Sequence, residues 1–160
     1  MRAVYGDVLL IGNAIEARDI RLLYDNEVRA VLDLAANEKP ASLGRDHIYV
    51  RIPILDGDGN SDRDIELAIF TLVHLMETET KTLVACSAGM SRSPCVAAAS
   101  IALASNGSID ECMNKIVSSG PNDVSPILWH RVKNVYNGIT ETRKRGTKTS
   151  PNNPMDRSGG

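Results

Sequence analysis

The chain has few aromatic residues and little net charge. Tryptophan, tyrosine and phenylalanine make up 4% of its 160 residues, whereas apolar residues as a whole make up 42%. A hydrophobic core must therefore be built from Leu, Ile, Val and Ala. The formal net charge of −2 provides no global attraction to nucleic acids or membrane surfaces, and we expect neither as a partner.

Long hydrophobic runs are also missing. No apolar stretch approaches the roughly 20 residues that a membrane-spanning helix needs, and the opening MRAVYGDVLLIG lacks the flanks of a secretory signal. The three cysteines are an odd number without metal-ligand spacing, which argues against a disulfide framework. We therefore expect a reducing, cytoplasmic location, with the nucleus as an alternative if the source is eukaryotic.

Hydrophobic periodicity predicts strands and helices that alternate along the chain. The predicted strands are 8–12, 28–34, 47–54 and 82–86, and the predicted helices are 14–24, 63–78, 94–104, 109–118 and one opening at Pro126. This order indicates an α/β fold with a central mixed, mostly parallel sheet of four to five strands flanked by helices. We assign 1–140 to one domain and 141–160, which lacks periodicity, to a flexible basic and polar tail.

Residues 83–94, LVACSAGMSRSP, contain a Cys-x5-Arg loop from Cys86 to Arg92. An apolar strand precedes the loop and an alanine-rich helix follows it, so the backbone can wrap around an oxyanion at a helix N-terminus. Gly89 permits a positive φ in the turn, and the Arg92 guanidinium can hold two phosphate oxygens. A cysteine at the mouth of such a loop predicts a thiolate nucleophile.

One tetrahedral anion would be surrounded by the backbone of this loop. The predicted phosphate-binding residues are Ser87, Ala88, Gly89, Met90, Ser91 and Arg92. The Ser93 hydroxyl can donate to the sulfur when the thiolate leaves. The leaving oxygen needs a proton, and Asp56, in the glycine-rich segment LDGDGN, is the predicted general acid. Asp58 is the alternative.

Residues 85–93, ACSAGMSRS, resemble the signature loop of the cysteine-dependent dual-specificity phosphatases, His-Cys-x2-Gly-x2-Arg-Ser/Thr. Residues 8–13, the predicted strand 28–34 and IPILD at 52–56 are similar to that family too. The resemblance implies a fold of the protein tyrosine phosphatase type, dual-specificity class. It also implies a two-step cysteinyl-phosphate mechanism that uses Cys86, Arg92, Ser93 and Asp56, with neither metal nor cofactor.

The expected partner is a phosphorylated protein, with phosphotyrosine as the first candidate and phosphoserine or phosphothreonine as further ones. Loops for phosphoinositides or nucleotide ends often carry lysines, whereas this loop has no charge besides Arg92. Ala85 stands where the family has its histidine, which predicts slower turnover. A weak or inactive phosphate-binding relative therefore stays open, as do phosphoinositides or RNA 5′ phosphates as substrates. The oligomeric state is open as well.

Overall fold

Five strands form one sheet in the protein, for which a computed structural model describes residues 1–147. The strands are β1 (Arg2–Tyr5), β2 (Leu9–Asn13), β3 (Ala30–Ala35), β4 (Ile48–Ile54) and β5 (Thr82–Cys86). The helices are α1 (Ile20–Asp25), α2 (Asp62–Glu77), α3 (Arg92–Ser105), α4 (Ile109–Ser118) and α5 (Pro126–Thr147), and a 3-10 turn, Glu16–Arg18, precedes α1. Among the described residues, no helix combines the length and hydropathy needed to cross a bilayer.

The strand order is β1-β2-β5-β3-β4. Strand β1 pairs antiparallel with β2, and the other three pairs are parallel. This is the mixed, mostly parallel sheet that the sequence predicts, with β1 as the strand that the prediction missed. The pattern of β1 is weak because the strand has only four residues and alternates between half-buried and exposed positions.

Strand β5 is buried on both faces of the sheet. Val84 and Cys86 belong to the larger hydrophobic cluster, together with residues of α2 to α5. Leu83 and Ala85 belong to a smaller cluster on the other face, next to residues of α1. Helix α3 packs within the larger cluster and is buried from Arg92 to Leu103, as its uninterrupted apolar pattern predicts. A buried strand and a buried helix therefore flank the Cys-x5-Arg loop.

Two of the predicted elements differ from the structure by more than one or two residues at an end. The predicted helix 14–24 is divided because Asp19 adopts an extended conformation (φ −86°, ψ 92°) and caps α1 by accepting a hydrogen bond from the Leu22 amide. Helix α5 continues to Thr147, so 141–147 of the predicted flexible tail are helical. An i,i+4 ion pair of 3.7 Å between Glu141 and Arg145 supports these last turns. The remainder of the predicted tail, 148–160, lies outside the described residues.

Candidate active site

Cys86 is the last residue of the central strand β5. In the parallel register it lies beside Asn13 of β2, and its neighbour Ala85 lies beside Asp33 of β3. Helix α3 begins six positions later, at Arg92. The loop thus occupies the carboxyl edge of a parallel sheet, where α/β proteins place their ligand sites, and the N-terminus of a buried helix faces it.

Gly89 adopts the positive φ that the sequence predicts, +73°. A Cβ at this position would lie 2.7 Å from the carbonyl oxygen of Gly12, which is too close for any side chain. The Gly89 amide donates a hydrogen bond to Cys86 Sγ at 3.3 Å. The loop at Gly89 therefore packs directly against the backbone of β2. One amide of the loop points at the sulfur of Cys86.

Arg92 is 3% exposed, and its guanidinium is held by three acceptors. Nη1 donates to Asn37 Oδ1 at 3.0 Å and to the carbonyl of Ile54 at 3.1 Å. Nη2 donates to Ser87 Oγ at 2.7 Å. Nε is buried and has no hydrogen-bond partner in the described part of the chain. These contacts use three of the five N–H donors of the guanidinium. The guanidinium is therefore oriented in advance, and the N–H of Nε and the second N–H of Nη2 are left for a bound oxyanion.

Asn37 is a site residue that sequence reasoning missed. Its Oδ1 accepts from Arg92 Nη1 and from Ser87 Oγ, each at 3.0 Å, so the three side chains form a closed set of hydrogen bonds. The sequence contained one usable signal. Asn37 follows the carboxyl end of β3, which lies next to β5 in the sheet, and polar residues after adjacent parallel strands converge on one edge.

The segment that carries Asn37 is held by a partly buried network of hydrogen bonds from β4. Tyr49 OH donates to Asp33 Oδ2 at 2.6 Å and accepts from the Ala41 amide at 3.0 Å. Arg51 Nη2 donates to the carbonyls of Ala35 and Glu38 at 2.9 and 2.7 Å. Two side chains of β4 thereby hold the first half of the segment between β3 and β4, from Ala35 to Ala41, which restrains the position of Asn37.

Asp56, the predicted general acid, lies at the loop. A cavity of about 100 Å³ is lined by Asp56, Cys86, Ser87, Ala88, Met90, Ser91, Arg92 and Asp123. Ser91 Oγ donates to Asp56 Oδ1 at 2.6 Å. Asp58, the alternative acid, does not line this cavity and accepts a hydrogen bond at 2.8 Å from its own neighbour, the Gly59 amide. The structure thus brings Asp56, and not Asp58, to the cysteine.

Asn60 holds the backbone of the segment that carries Asp56. It is 8% exposed, accepts from the Leu55 amide at 2.7 Å and donates to the carbonyls of Leu55 and Gly57, each at 3.0 Å. The turn 55–60 is therefore closed by one side chain. Sequence reasoning described these residues as a loop and did not identify Asn60 as the residue that shapes it.

The segment between α4 and α5 also reaches the loop, although no role was predicted for it. The Asp123 amide donates to the carbonyl of Met90 at 3.0 Å, and the Ser125 amide donates to Ser91 Oγ at 3.0 Å. These contacts hold Asp123 at the cavity, which it lines. The cavity is therefore lined by two acidic residues, Asp56 and Asp123, and one basic residue, Arg92.

The predicted phosphate-binding residues all lie around this site. Five of them line the cavity: Ser87, Ala88, Met90, Ser91 and Arg92. Gly89 instead supports the loop against β2. The Ser93 hydroxyl is buried next to the loop and has no hydrogen-bond partner among residues 1–147. Among those residues there is also no group of three or more His, Cys, Asp or Glu side chains that could hold a metal ion.

Cys95 lies one turn into α3 and is fully buried. Burial raises the pKa of its thiol well above the usual range, and the nearby Asp56 and Cys86 raise it further. Since the thiolate is the reactive form, Cys95 is held as an inert thiol at neutral pH. Cys86 is therefore the cysteine of this region that the geometry makes available for chemistry.

The fold is similar to the solved structures of DUSP28, DUSP15 and PTPMT1. Human DUSP28 has a TM-score of 0.78 at 17% identity, over 89% of this chain and 99% of that one. DUSP15 has a TM-score of 0.76 at 20% identity, over 96% and 98% of the two chains. PTPMT1 in complex with PI(5)P has a TM-score of 0.67 at 19% identity, over 86% and 95%. These likenesses confirm the predicted fold. A search among curated proteins finds no match to the sequence.

The amino-acid sequence also matches a family model. Residues 9–106 match the family Tc-R-P, described as "Polymorphic toxin system, DSP-PTPase phosphatase". The matched stretch runs from the start of β2 to the end of α3 and contains Asn37, Asp56, Cys86 and Arg92. It covers more than half of the chain, and the chain therefore belongs to this family of DSP-PTPase phosphatases.

Proposed function

We propose that this phosphatase hydrolyses phosphate monoesters through a cysteinyl-phosphate intermediate, with Cys86 as the nucleophile and Asp56 as the general acid. One observation carries the proposal: Cys86, the Arg92 guanidinium and the Asp56 carboxylate line the same cavity of about 100 Å³. This cavity is large enough for one phosphoryl group. A nucleophile, an anion clamp and a proton donor are the three parts that such a transfer needs.

In the first step, the Cys86 thiolate attacks phosphorus. The S–P bond forms while the P–O bond to the leaving oxygen breaks. Asp56 donates its proton to that oxygen, so the substrate alcohol departs neutral and Asp56 becomes a carboxylate. Arg92 Nε, which has no acceptor among the described residues, can donate to an equatorial phosphoryl oxygen and stabilise the charge of the transition state.

In the second step, a water molecule attacks phosphorus and transfers a proton to Asp56. The S–P bond breaks, inorganic phosphate forms, and Cys86 departs as a thiolate. Ser93 Oγ is buried beside the loop without a partner in the described region, so its proton is available to the departing sulfur. The enzyme is then in its starting state, with Asp56 protonated and Cys86 ionised.

For the substrate we propose a phosphorylated protein, with phosphotyrosine as the first candidate. The loop contributes a single cation, Arg92, and the acidic residue Asp123 lines the cavity in addition to Asp56. Further phosphate groups beside the one in the loop would lie near this carboxylate, which opposes polyanionic substrates. Cys86, Cys95 and Cys112 are all free thiols, which supports the cytoplasm as the location that we propose.

Turnover of p-nitrophenyl phosphate tests the chemistry. The wild type should release nitrophenol, and Cys86→Ser should release none while it still binds inorganic tungstate in a calorimeter. If the wild type binds tungstate but releases no nitrophenol between about pH 5 and pH 8, the range in which such acid–base pairs operate, the chain is a phosphate-binding relative and the proposal fails.

The substrate class is tested separately with phosphopeptides, a soluble phosphoinositide and an RNA oligonucleotide with a 5′ phosphate. We expect kcat/KM to be highest for a phosphotyrosine peptide. PTPMT1, which shares the fold, is a protein solved with PI(5)P bound, so the phosphoinositide is an informative competitor. A higher kcat/KM for the phosphoinositide or the RNA would contradict the assignment of a protein substrate and leave the mechanism intact.

A further inference from the structure

We infer that Ser91 is a positioning residue that holds the Asp56 carboxylate in the orientation needed for proton donation. The inference rests on the proposed function, because it concerns how the general acid is presented to the leaving oxygen. Ser91 is the residue just before Arg92 and is 4% exposed. Its Oγ lies 2.6 Å from Asp56 Oδ1. This distance is in the short range that is typical of a hydroxyl donating to a carboxylate.

The direction of this hydrogen bond follows from the second partner of Ser91. The Ser125 amide lies 3.0 Å from Ser91 Oγ, and a backbone amide can only donate. Ser91 Oγ is therefore the acceptor in that contact, and its single proton is directed at Asp56 Oδ1. The segment between α4 and α5 thus orients the Ser91 hydroxyl, and the hydroxyl orients the acid.

The same geometry assigns a place to the catalytic proton. Because Oδ1 accepts the hydrogen bond from Ser91, the proton that Asp56 transfers is carried by Oδ2. Oδ2 has no hydrogen-bond partner in the described part of the chain, so it can reach a leaving oxygen. Ser91 therefore separates the two carboxylate oxygens into one that is anchored and one that reacts.

No other hydrogen bond within residues 1–147 holds the Asp56 side chain, which is exposed. The backbone around it is shaped independently by Asn60. Removal of the Ser91 hydroxyl should therefore free the carboxylate to rotate while the turn keeps its shape. It also removes the acceptor of the Ser125 amide, but the segment before α5 keeps its second contact with the loop, from the Asp123 amide to the Met90 carbonyl. The effect should fall on proton transfer and not on phosphate binding.

The test compares two substrates that differ in leaving group, phenyl phosphate and p-nitrophenyl phosphate. We measure kcat/KM, which covers the steps up to formation of the S–P bond. Ser91→Ala should lower kcat/KM for phenyl phosphate by about 10- to 100-fold, the equivalent of one hydrogen bond to a charged group. The loss for p-nitrophenyl phosphate should be several times smaller, because nitrophenolate departs without a proton. Tungstate affinity should stay at the wild-type value.

A double variant and a matched loop variant make the test specific. In an Asp56→Asn background, Ser91→Ala should cause little additional loss, because the two residues act as one unit. Ser87→Ala removes the same group from the same loop, but Ser87 contacts Asn37 and Arg92. It should lower kcat/KM for both substrates by similar factors. If Ser91→Ala does not fold, Ser91→Cys is the substitute, because a cysteine has nearly the volume of serine but a weaker hydrogen-bond donor. It should show the same larger loss of kcat/KM for phenyl phosphate than for p-nitrophenyl phosphate.

The outcomes separate the inference from the proposed function. The inference would be overturned if Ser91→Ala lowered kcat/KM by the same factor for both substrates. It would also be overturned if the kcat/KM losses of Ser91→Ala and Asp56→Asn multiplied in the double variant. Either result would show that Ser91 supports only the fold of the loop. A wild type that hydrolyses neither substrate would overturn the proposed function first, and the inference with it.

Discussion

Asn37 Oδ1 lies 3.0 Å from Arg92 Nη1, although the two residues are 55 positions apart in the chain. The same oxygen accepts a hydrogen bond from the Ser87 hydroxyl. Ser87 Oγ in turn accepts a hydrogen bond from Arg92 Nη2. Arg92, which we propose binds the phosphoryl group, is thus oriented by a residue outside the Cys-x5-Arg loop. This relationship makes the segment after β3 a part of the site.

The first prediction concerns Asn37. Asn37→Ala removes one acceptor from the buried Arg92 and should lower kcat/KM by about tenfold, the value of a hydrogen bond to a charged group. Asn37→Asp keeps the acceptor but adds a negative charge 3.0 Å from Arg92 Nη1, so it should raise KM for p-nitrophenyl phosphate more than Asn37→Ala does. Steady-state kinetics measures both. An unchanged kcat/KM for both variants would show that Arg92 needs no support from Asn37.

The second prediction separates the two aspartates of the turn 55–60. Asp56→Asn cannot supply a proton and should lower kcat/KM for phenyl phosphate by about 100-fold or more, the usual contribution of a general acid. Its effect on p-nitrophenyl phosphate should be much smaller. Asp58→Asn is the matched control and should resemble the wild type, because Asp58 does not line the cavity. The reverse pattern would assign the acid to Asp58.

The third prediction concerns Gly89. The methyl group added by Gly89→Ala would lie 2.7 Å from the Gly12 carbonyl oxygen. The φ of this residue, +73°, is also unfavourable for alanine. We expect a loss of about 1–3 kcal/mol in the free energy of unfolding, the usual cost of such strain, together with loss of tungstate binding. Urea denaturation and calorimetry measure these effects.

Gly44→Ala is the control for Gly89→Ala, because a Cβ at Gly44 meets nothing within 4 Å and Gly44 has no positive φ. This variant should keep the wild-type stability within about 0.5 kcal/mol, as surface substitutions usually do. If Gly89→Ala kept the wild-type stability as Gly44→Ala does, the loop would tolerate a side chain at position 89. Its close packing against the backbone of β2 would then not be required.

The fourth prediction concerns the charge on the rim of the cavity. Asp123→Lys replaces a carboxylate with an ammonium group and should raise kcat/KM for a soluble phosphoinositide relative to a phosphotyrosine peptide, with an effect that weakens as salt is added. Glu66→Lys makes the same change in charge on α2, away from the cavity, and should leave that ratio unchanged. Equal ratios in both variants would show that Asp123 does not influence substrate choice.

Local sequence patterns determined most of the secondary structure and the centre of the site. The apolar run of β5, the spacing of Cys86 and Arg92, and the alanine-rich α3 are consecutive in the chain, so the strand, loop and helix could be predicted from neighbouring residues alone. The positive φ of Gly89 follows from the same short segment. The α/β order of elements followed from periodicity as well, and the resemblance of residues 85–93 to a phosphatase loop pointed to the family.

The tertiary structure decided what depends on residues far apart in the chain. It placed Asp56, and not Asp58, at the cavity, because the turn 55–60 is closed by Asn60 and Ser91 contacts only one of the two carboxylates. It also brought Asn37 and Asp123 to the loop, through the register of β3 with β5 and the contacts of the segment before α5. No local pattern encodes these positions, because side chains contribute to them only after the sheet has paired and the helices have packed.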